Sequence, residues 1–185
     1  MKRVFIAVKV NPGPELLKGV ASLKALLASE SIKWTELINT HLTLAFLGDT
    51  EEKKIKILSE MLAEKCSGFH DFSFTIAGTG VFKNYRDPRV IWAGIKSSEL
   101  LIKLSETINS GLREIGLPVG ERAFSPHLTL GRIRSIKNMP GLIPAIERYS
   151  ETEFQTVKVN EVILYESILM QTGAVYKVLG KYPLA

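Results

Sequence analysis

The sequence predicts an α+β fold arranged as two similar lobes around a cleft, and three observations carry that expectation. Strands and helices alternate, but two strands often stand between helices, which argues against a doubly wound parallel sheet. No linker, low-complexity tract or charge block divides the 185 residues, so residues 1–185 are expected to form a single bilobal domain. Finally, the tetrapeptide His-Leu-Thr-Leu occurs at 41–44 and again at 127–130, 86 residues apart.

The elements follow from periodicity and punctuation. Val4–Val10 is a near-continuous apolar run, suited to a strand buried on both faces. Asn11-Pro12-Gly13-Pro14 is a turn, and Pro14 is well placed in the first turn of a helix. That helix carries Leu16, Val20, Leu23 and Leu27 on one stripe. His41–Leu47 reads as a strand ending at Gly48. Asp49, with Glu52 three residues on, has the spacing of a capping box, and Ile55, Leu58 and Leu62 line the helix behind it. Phe72–Phe82 and Arg89–Lys96 are strands around an Asn84-to-Pro88 loop. A helix from about Ser98 sets Leu101, Leu104, Ile108, Leu112 and Ile115 in register, and Gly116-Leu117-Pro118 stops it. Ala123–Ile133 reads as a strand, Pro140–Tyr149 as a short helix interrupted by proline, and Phe154–Ser167 and Ala174–Tyr182 as closing strands around a Gln171-Thr172-Gly173 turn.

Composition narrows the function. Apolar residues make up 45% and charged residues 23%, which excludes disorder, collagen-like repeats and coiled coil. No apolar run reaches the ~18 residues of a membrane span. The five apolar residues from Val4 are too few for a secretory signal, which needs roughly 7 to 15, so a cytoplasmic protein is expected. Cys66 is the one cysteine, so no internal disulfide and no cysteine-based metal site can form. The net charge of +5 favours an anionic partner.

The repeated string carries the chemistry. Two of only three histidines open it, a coincidence expected by chance at a frequency of about 0.002. In a strand, residues i and i+2 share a face. His41 and Thr43 therefore point one way and Leu42 and Leu44 into the core; His127, Thr129, Leu128 and Leu130 repeat the arrangement. Two imidazoles across a cleft can hold opposite protonation states near neutral pH, one taking a proton from water and one giving a proton to a leaving oxygen. Threonine hydroxyls beside them can donate to the non-bridging oxygens of a phosphoryl group. No third ligand stands near either histidine for zinc, so neither a metal nor another cofactor is expected.

Other candidates carry less. His70-Asp71 reads as a surface pair, and Cys66 beside Lys65 as an ordinary helix-end residue. Gly78-x-Gly80 lacks the third glycine and following helix of a dinucleotide loop. Lys83, Arg86 and Arg89 around Tyr85 form either an RNA-contacting loop or a solvated one.

The two strings look like the paired HxTx motifs of the 2H phosphoesterases, and the chain is similar to the RNA 2',3'-cyclic phosphodiesterases, also called 2'-5' RNA ligases. The resemblance extends over Arg3-Val4-Phe5-Ile6-Ala7, His41 to Gly48, Phe124 to Arg132, Leu164-Tyr165-Glu166-Ser167, Gly173, Tyr176 and Tyr182-Pro183-Leu184. It implies two lobes, each an antiparallel sheet backed by helices, related by a pseudo-twofold axis. It assigns His41 as the acid protonating the leaving 3'-oxygen and His127 as the base activating water, with Thr43 and Thr129 binding phosphate. Arg132 would add charge-assisted donors to phosphate. Strict alternation puts it opposite His127, a conflict that a bulge at Gly131 would relieve. Phe46 has the same parity conflict; beside the strand's end it could stack on a base.

The expected activity is metal-independent opening of a 2',3'-cyclic phosphate end of RNA, tRNA fragments among the substrates, to a 2'-phosphate. Reversed, the same chemistry would join the cyclic end to a 5'-hydroxyl. The chain is expected to act as a monomer. An endoribonuclease and a nucleotide-binding module with vestigial activity are the rival readings.

Overall fold

The computed structural model describes residues 1–97, 99–120, 123–171 and 173–185. Among them stand nine strands and four α-helices, with one 3-10 turn at Leu37–Asn39. The strands are β1 (Lys2–Lys9), β2 (Ser31–Trp34), β3 (His41–Thr50), β4 (Phe72–Phe82), β5 (Val90–Lys96), β6 (His127–Ser135), β7 (Glu153–Val159), β8 (Glu161–Met170) and β9 (Gly173–Pro183). The helices are α1 (Pro14–Leu26), α2 (Glu52–Ser67), α3 (Glu99–Glu114) and α4 (Met139–Glu147). Two antiparallel sheets result, ordered β3-β1-β8-β9 and β2-β6-β5-β4-β7.

The strand orders expose the internal symmetry. Starting from the motif strands, β3-β1-β8-β9 matches β6-β5-β4-β7, with β2 as an addition outside β6. Two of the helices, α1 and α3, do not stay with the strands they follow. α2 and α3 pack together behind the first sheet, α2 against β8 and β9 and α3 against β3. α1 and α4 pack behind the second, against β7 and β4. α1, which follows β1 of the first sheet, thus backs the second, and α3, which follows β5 of the second, backs the first. The lobes are interleaved along the chain rather than being its two halves.

Periodicity explains the helices. In α3, Leu101, Leu104, Ile108 and Leu112 fall three or four residues apart and are all fully buried, each burial worth roughly 1.5–3 kcal/mol. In α1 the stripe of Leu16, Val20 and Leu23 is buried, with Leu27 just beyond its end. Val4, Ile6 and Val8 of β1 enter a core that also holds Leu42, Leu62, Phe74, Ile91, Leu128 and Ile146, whereas Phe5 and Ala7 face the other way into a second cluster.

Several sequence expectations are corrected. The capping box at Asp49 does not form: β3 continues to Thr50, paired with Lys2, and Asp49 lies 3.7 Å from Arg3, leaving Glu51 at the cap without a side-chain bond. The expected strand over 154–167 is two strands in different sheets, β7 and β8, which part at Asn160. The strand expected from Ala123 begins at His127, after Pro126, which has no N–H for a ladder. β2 is too short to carry a period-2 signal and has no counterpart among the expected elements. The Ser98 helix start and the Thr172 position of the last turn lie outside the described residues.

Gly78 marks a bulge in β4, where Ala77 and Thr79 face Gly94 and Ala93. Its φ is +70°, and a Cβ there would sit 2.6 Å from the Ser150 carbonyl oxygen. Left-handed backbone costs a non-glycine residue about 1–2 kcal/mol before the clash. Gly78→Ala is therefore expected to lower the melting temperature by about 2–8 °C, measured by differential scanning calorimetry.

Candidate active site

The two motif strands solve the same local problem in the same way. Leu42 and Leu128 are fully buried and Leu44 and Leu130 nearly so, while His41, Thr43, His127 and Thr129 on the opposite face are half-buried. β3 and β6 lie against each other where the sheets meet. In β3, Thr43 pairs with Ala7 and Ala45 with Ile6, so Leu44 is an extra residue. In β6, Thr129 pairs with Trp92 and Gly131 with Ile91, so Leu130 is the extra residue, one position before the expected Gly131. Each bulge thus falls on the second leucine of its motif. The carbonyl it displaces finds a partner: Leu44 accepts from the Ser105 hydroxyl at 3.4 Å, and Leu130 from the Thr35 N–H at 2.9 Å.

The bulges settle the parity question raised by Arg132 and Phe46. Each stands five residues after its histidine, and each is exposed on the cleft side. Phe46, cross-strand from Phe5, lines an open cleft of about 850 Å³ together with Thr43, Phe82, Lys83, Asn109 and His127. Arg132 lines the neighbouring groove with Tyr176 and lies close enough to His41 for its charge to act on that ring. The far end of β6 therefore reaches His41, and the far end of β3 shares the open cleft with His127.

Both rings are held alike. His41 Nδ1 is 2.6 Å from the Asn39 carbonyl and His127 Nδ1 is 2.8 Å from the Ser125 carbonyl. A carbonyl only accepts, so this partner assigns the proton to Nδ1 and leaves Nε2 for chemistry. Asn39 in turn donates from Nδ2 to the Ala174 carbonyl, 3.1 Å away.

The surroundings differ. Phe5 lies 4.9 Å from the His41 ring and Tyr176 stands edge-on to it at 5.1 Å, with Tyr165 at 6.4 Å. Burial lowers the His41 pKa below its ordinary 6.5; the Asn39 carbonyl opposes this and the Arg132 charge adds to it. His127 meets the edge of Phe82 at 4.7 Å, and Phe82 leans on Trp92. Trp92 lies over Gly80, where any Cβ would collide with the indole. Its N–H is buried and has no partner among the described residues. Phe82, Trp92 and Asn39 escaped the sequence reading as site residues, and Phe5, Tyr165 and Tyr176 entered it only through the resemblance. Their signal is cross-strand proximity, which no local spacing reveals.

The remaining candidates are structural. Cys66 is buried, and burial pushes its thiol up to about 12. His70 is exposed, and Asp71 pairs with Lys158 at 2.6 Å. Gly78 and Gly80 lie inside β4. Lys83 and Arg89 are both tied to Asp87. Among the described residues no cluster of three or more His, Cys, Asp or Glu is placed to hold a metal ion, and no helix is long and apolar enough to cross a membrane.

Two His-x-Thr strands, bulged at the same residue and meeting at the junction of two matching sheets, are the arrangement of a two-histidine phosphoesterase. The chain belongs to the LigT-like phosphoesterase family, whose sequence model matches residues 6–92 and 95–176. It is 37% identical over 180 residues to the RNA 2',3'-cyclic phosphodiesterase of Thermotoga maritima, covering 96% of this chain and 92% of that one. It is 33% identical to the protein of the same name from Archaeoglobus fulgidus, covering 95% and 96%. A crystal structure from Thermus thermophilus superposes with a TM-score of 0.81 at 26% identity, covering 98% and 97% of the two chains. Escherichia coli LigT complexed with 3'-AMP gives 0.75 at 25%, covering 100% and 98%.

The buried His41 has a consequence for stability. Its folded pKa lies below the unfolded value of 6.5, so below that pH the unfolded chain binds the proton more readily. The contribution of neutral His41 is complete above pH 6.5 and is lost as pH falls through the folded pKa. Urea unfolding between pH 7.5 and 5 should show a steeper loss of stability in the wild type than in His41→Asn.

Proposed function

We propose that the protein hydrolyses 2',3'-cyclic phosphate ends of RNA to 2'-phosphates by acid–base catalysis between His41 and His127. The observation that carries this reading is the matched pair of Nδ1-locked imidazoles, each with a threonine hydroxyl two residues on. The names of the relatives agree, and E. coli LigT was crystallised with a nucleotide.

The step is an in-line displacement. A water oxygen bonds to phosphorus while the P–O3' bond breaks. His127 Nε2 takes the proton from water and His41 Nε2 gives one to O3'. Thr43 and Thr129 donate to the non-bridging oxygens, where charge gathers in the transition state. Arg132 adds positive charge on the His41 side. A lowered pKa makes the His41 imidazolium a stronger acid toward O3', and the bound phosphate anion supplies the charge that keeps it protonated. Phe46, 60% exposed, offers its ring to the terminal base.

Residues 1–185 would act as one bilobal, monomeric unit without a metal, in the cytoplasm, with tRNA fragments among its substrates. Reversal of the same step would join the cyclic end to a 5'-hydroxyl as a 2'-5' linkage.

The test uses a short RNA with a 2',3'-cyclic phosphate end in the presence of EDTA, with phosphorus NMR locating the product phosphate. A 2'-phosphate should form, and His41→Ala and His127→Ala should each lower kcat by about 10²- to 10⁴-fold. Turnover that survives either substitution sinks the mechanism, cleavage of internal linkages favours an endoribonuclease, and tight binding without turnover favours a binding module. Phe46→Ala should raise KM about 5- to 150-fold, as expected from stacking worth about 1–3 kcal/mol, and leave kcat much less changed.

A further inference from the structure

The two sides of the cleft offer an RNA strand different things. Beside His127, among the described residues, Lys83 and Arg89 share one carboxylate, Asp87, at 2.6 Å and 2.9 Å, and the exposed ring is Phe46. Beside His41 a groove of about 410 Å³ is lined by Lys33, Trp34, Asn39, Arg132 and Tyr176, with Glu36 as the one carboxylate. Among the described residues neither Lys33 nor Arg132 makes an ion pair.

These two cations also face each other directly. Lys33 of β2 is the cross-strand partner of Arg132 of β6, and like charges in that position repel. An anion between them removes the repulsion. The reacting phosphate accounts for one cation, Arg132, and leaves the second without a role.

Ribose chemistry says what the second cation meets. The base leaves the sugar from C1', next to C2', and the preceding nucleotide leaves from C4', next to C3'. If His41 protonates O3', the C3' edge lies on the His41 side. The base then points toward Phe46, and the 5' strand runs over the groove containing Lys33.

Resting on the proposed phosphodiesterase reading, we propose that Lys33, beside Arg132, binds the phosphate 5' to the terminal nucleoside while Arg132 serves the reacting phosphate, so that the preferred substrate is an RNA strand rather than a cyclic mononucleotide. Lys33 is exposed at the edge of its sheet, so replacing it leaves the core intact.

Two measurements test this. The first compares kcat/KM for a 2',3'-cyclic mononucleotide and for a tetranucleotide ending in the same cyclic nucleotide. The wild type should favour the tetranucleotide, and Lys33→Ala should cut that preference about three- to fivefold at low salt, with Lys33→Arg restoring most of it. The second is equilibrium binding of a fluorescent tetranucleotide ending in a 2'-phosphate. Lys33→Ala should make its log–log salt dependence shallower by about 0.7, the value of one single-strand phosphate contact. A wild type without strand preference, or a preference and salt slope unchanged by the substitution, overturns the proposal. If neither substrate turns over, the phosphodiesterase reading fails instead, and the salt slope alone decides whether Lys33 meets the strand.

Discussion

In each motif strand the pleat sends two leucines into the shared core and an imidazole and a hydroxyl the other way. The site depends on that division. Leu42, Leu44, Leu128 and Leu130 are anchored by burial, and a one-residue slip would send each histidine into the core and each leucine into the cleft. The bulge at the second leucine then turns the strand, so that the residue five positions beyond each histidine also reaches the cleft side. Without that extra residue, Phe46 and Arg132 would fall on the opposite face. The motif is thus longer than its four letters: it ends at Phe46 in one strand and Arg132 in the other.

In the proposed mechanism, a symmetric scaffold with two identical motifs needs unequal histidines for acid and base. Both rings have the same Nδ1 lock, so the inequality comes from what surrounds them. His41 is enclosed by Phe5, Tyr165 and Tyr176 and faces the Arg132 charge. His127 meets one ring edge, that of Phe82, and lines the open cleft. The equivalent ends of the two motif strands carry an aromatic and a cation, so the asymmetry is already written at positions 46 and 132.

Much of this was legible in sequence because it is local. The helix stripes, the turns at Gly13 and Gly116 and the strands that bury His-Leu-Thr-Leu each depend on neighbours within a few residues. The bulge before Arg132 was legible too, to within one residue, because Arg132 otherwise had the wrong parity. What escaped depends on which strand lies beside which. Phe5 contacts His41 only because β1 pairs with β3, and Trp92 lies behind Thr129 only because β5 pairs with β6. The Asp49 cap failed for the same reason: Arg3 and the continuing ladder with β1 hold Asp49 in the strand. The single strand expected over 154–167 hid a crossing between sheets, since an Asn-Glu step between two valines leaves the apolar pattern almost unbroken.

That crossing belongs to a wider arrangement that keeps the cleft together. α1 follows a strand of the first sheet yet packs on the second, and α3, between two strands of the second sheet, packs on the first. β8 closes the first sheet only after the chain has built all of the second. Each sheet is backed by one helix from its own stretch of chain and one from the other's, α2 with α3 on the first and α4 with α1 on the second. Ser105 on α3 completes the argument, because the hydroxyl that satisfies the Leu44 carbonyl at the β3 bulge comes from the helix that left the other sheet. The exchange of helices that joins the lobes also holds the first motif in its bulged shape.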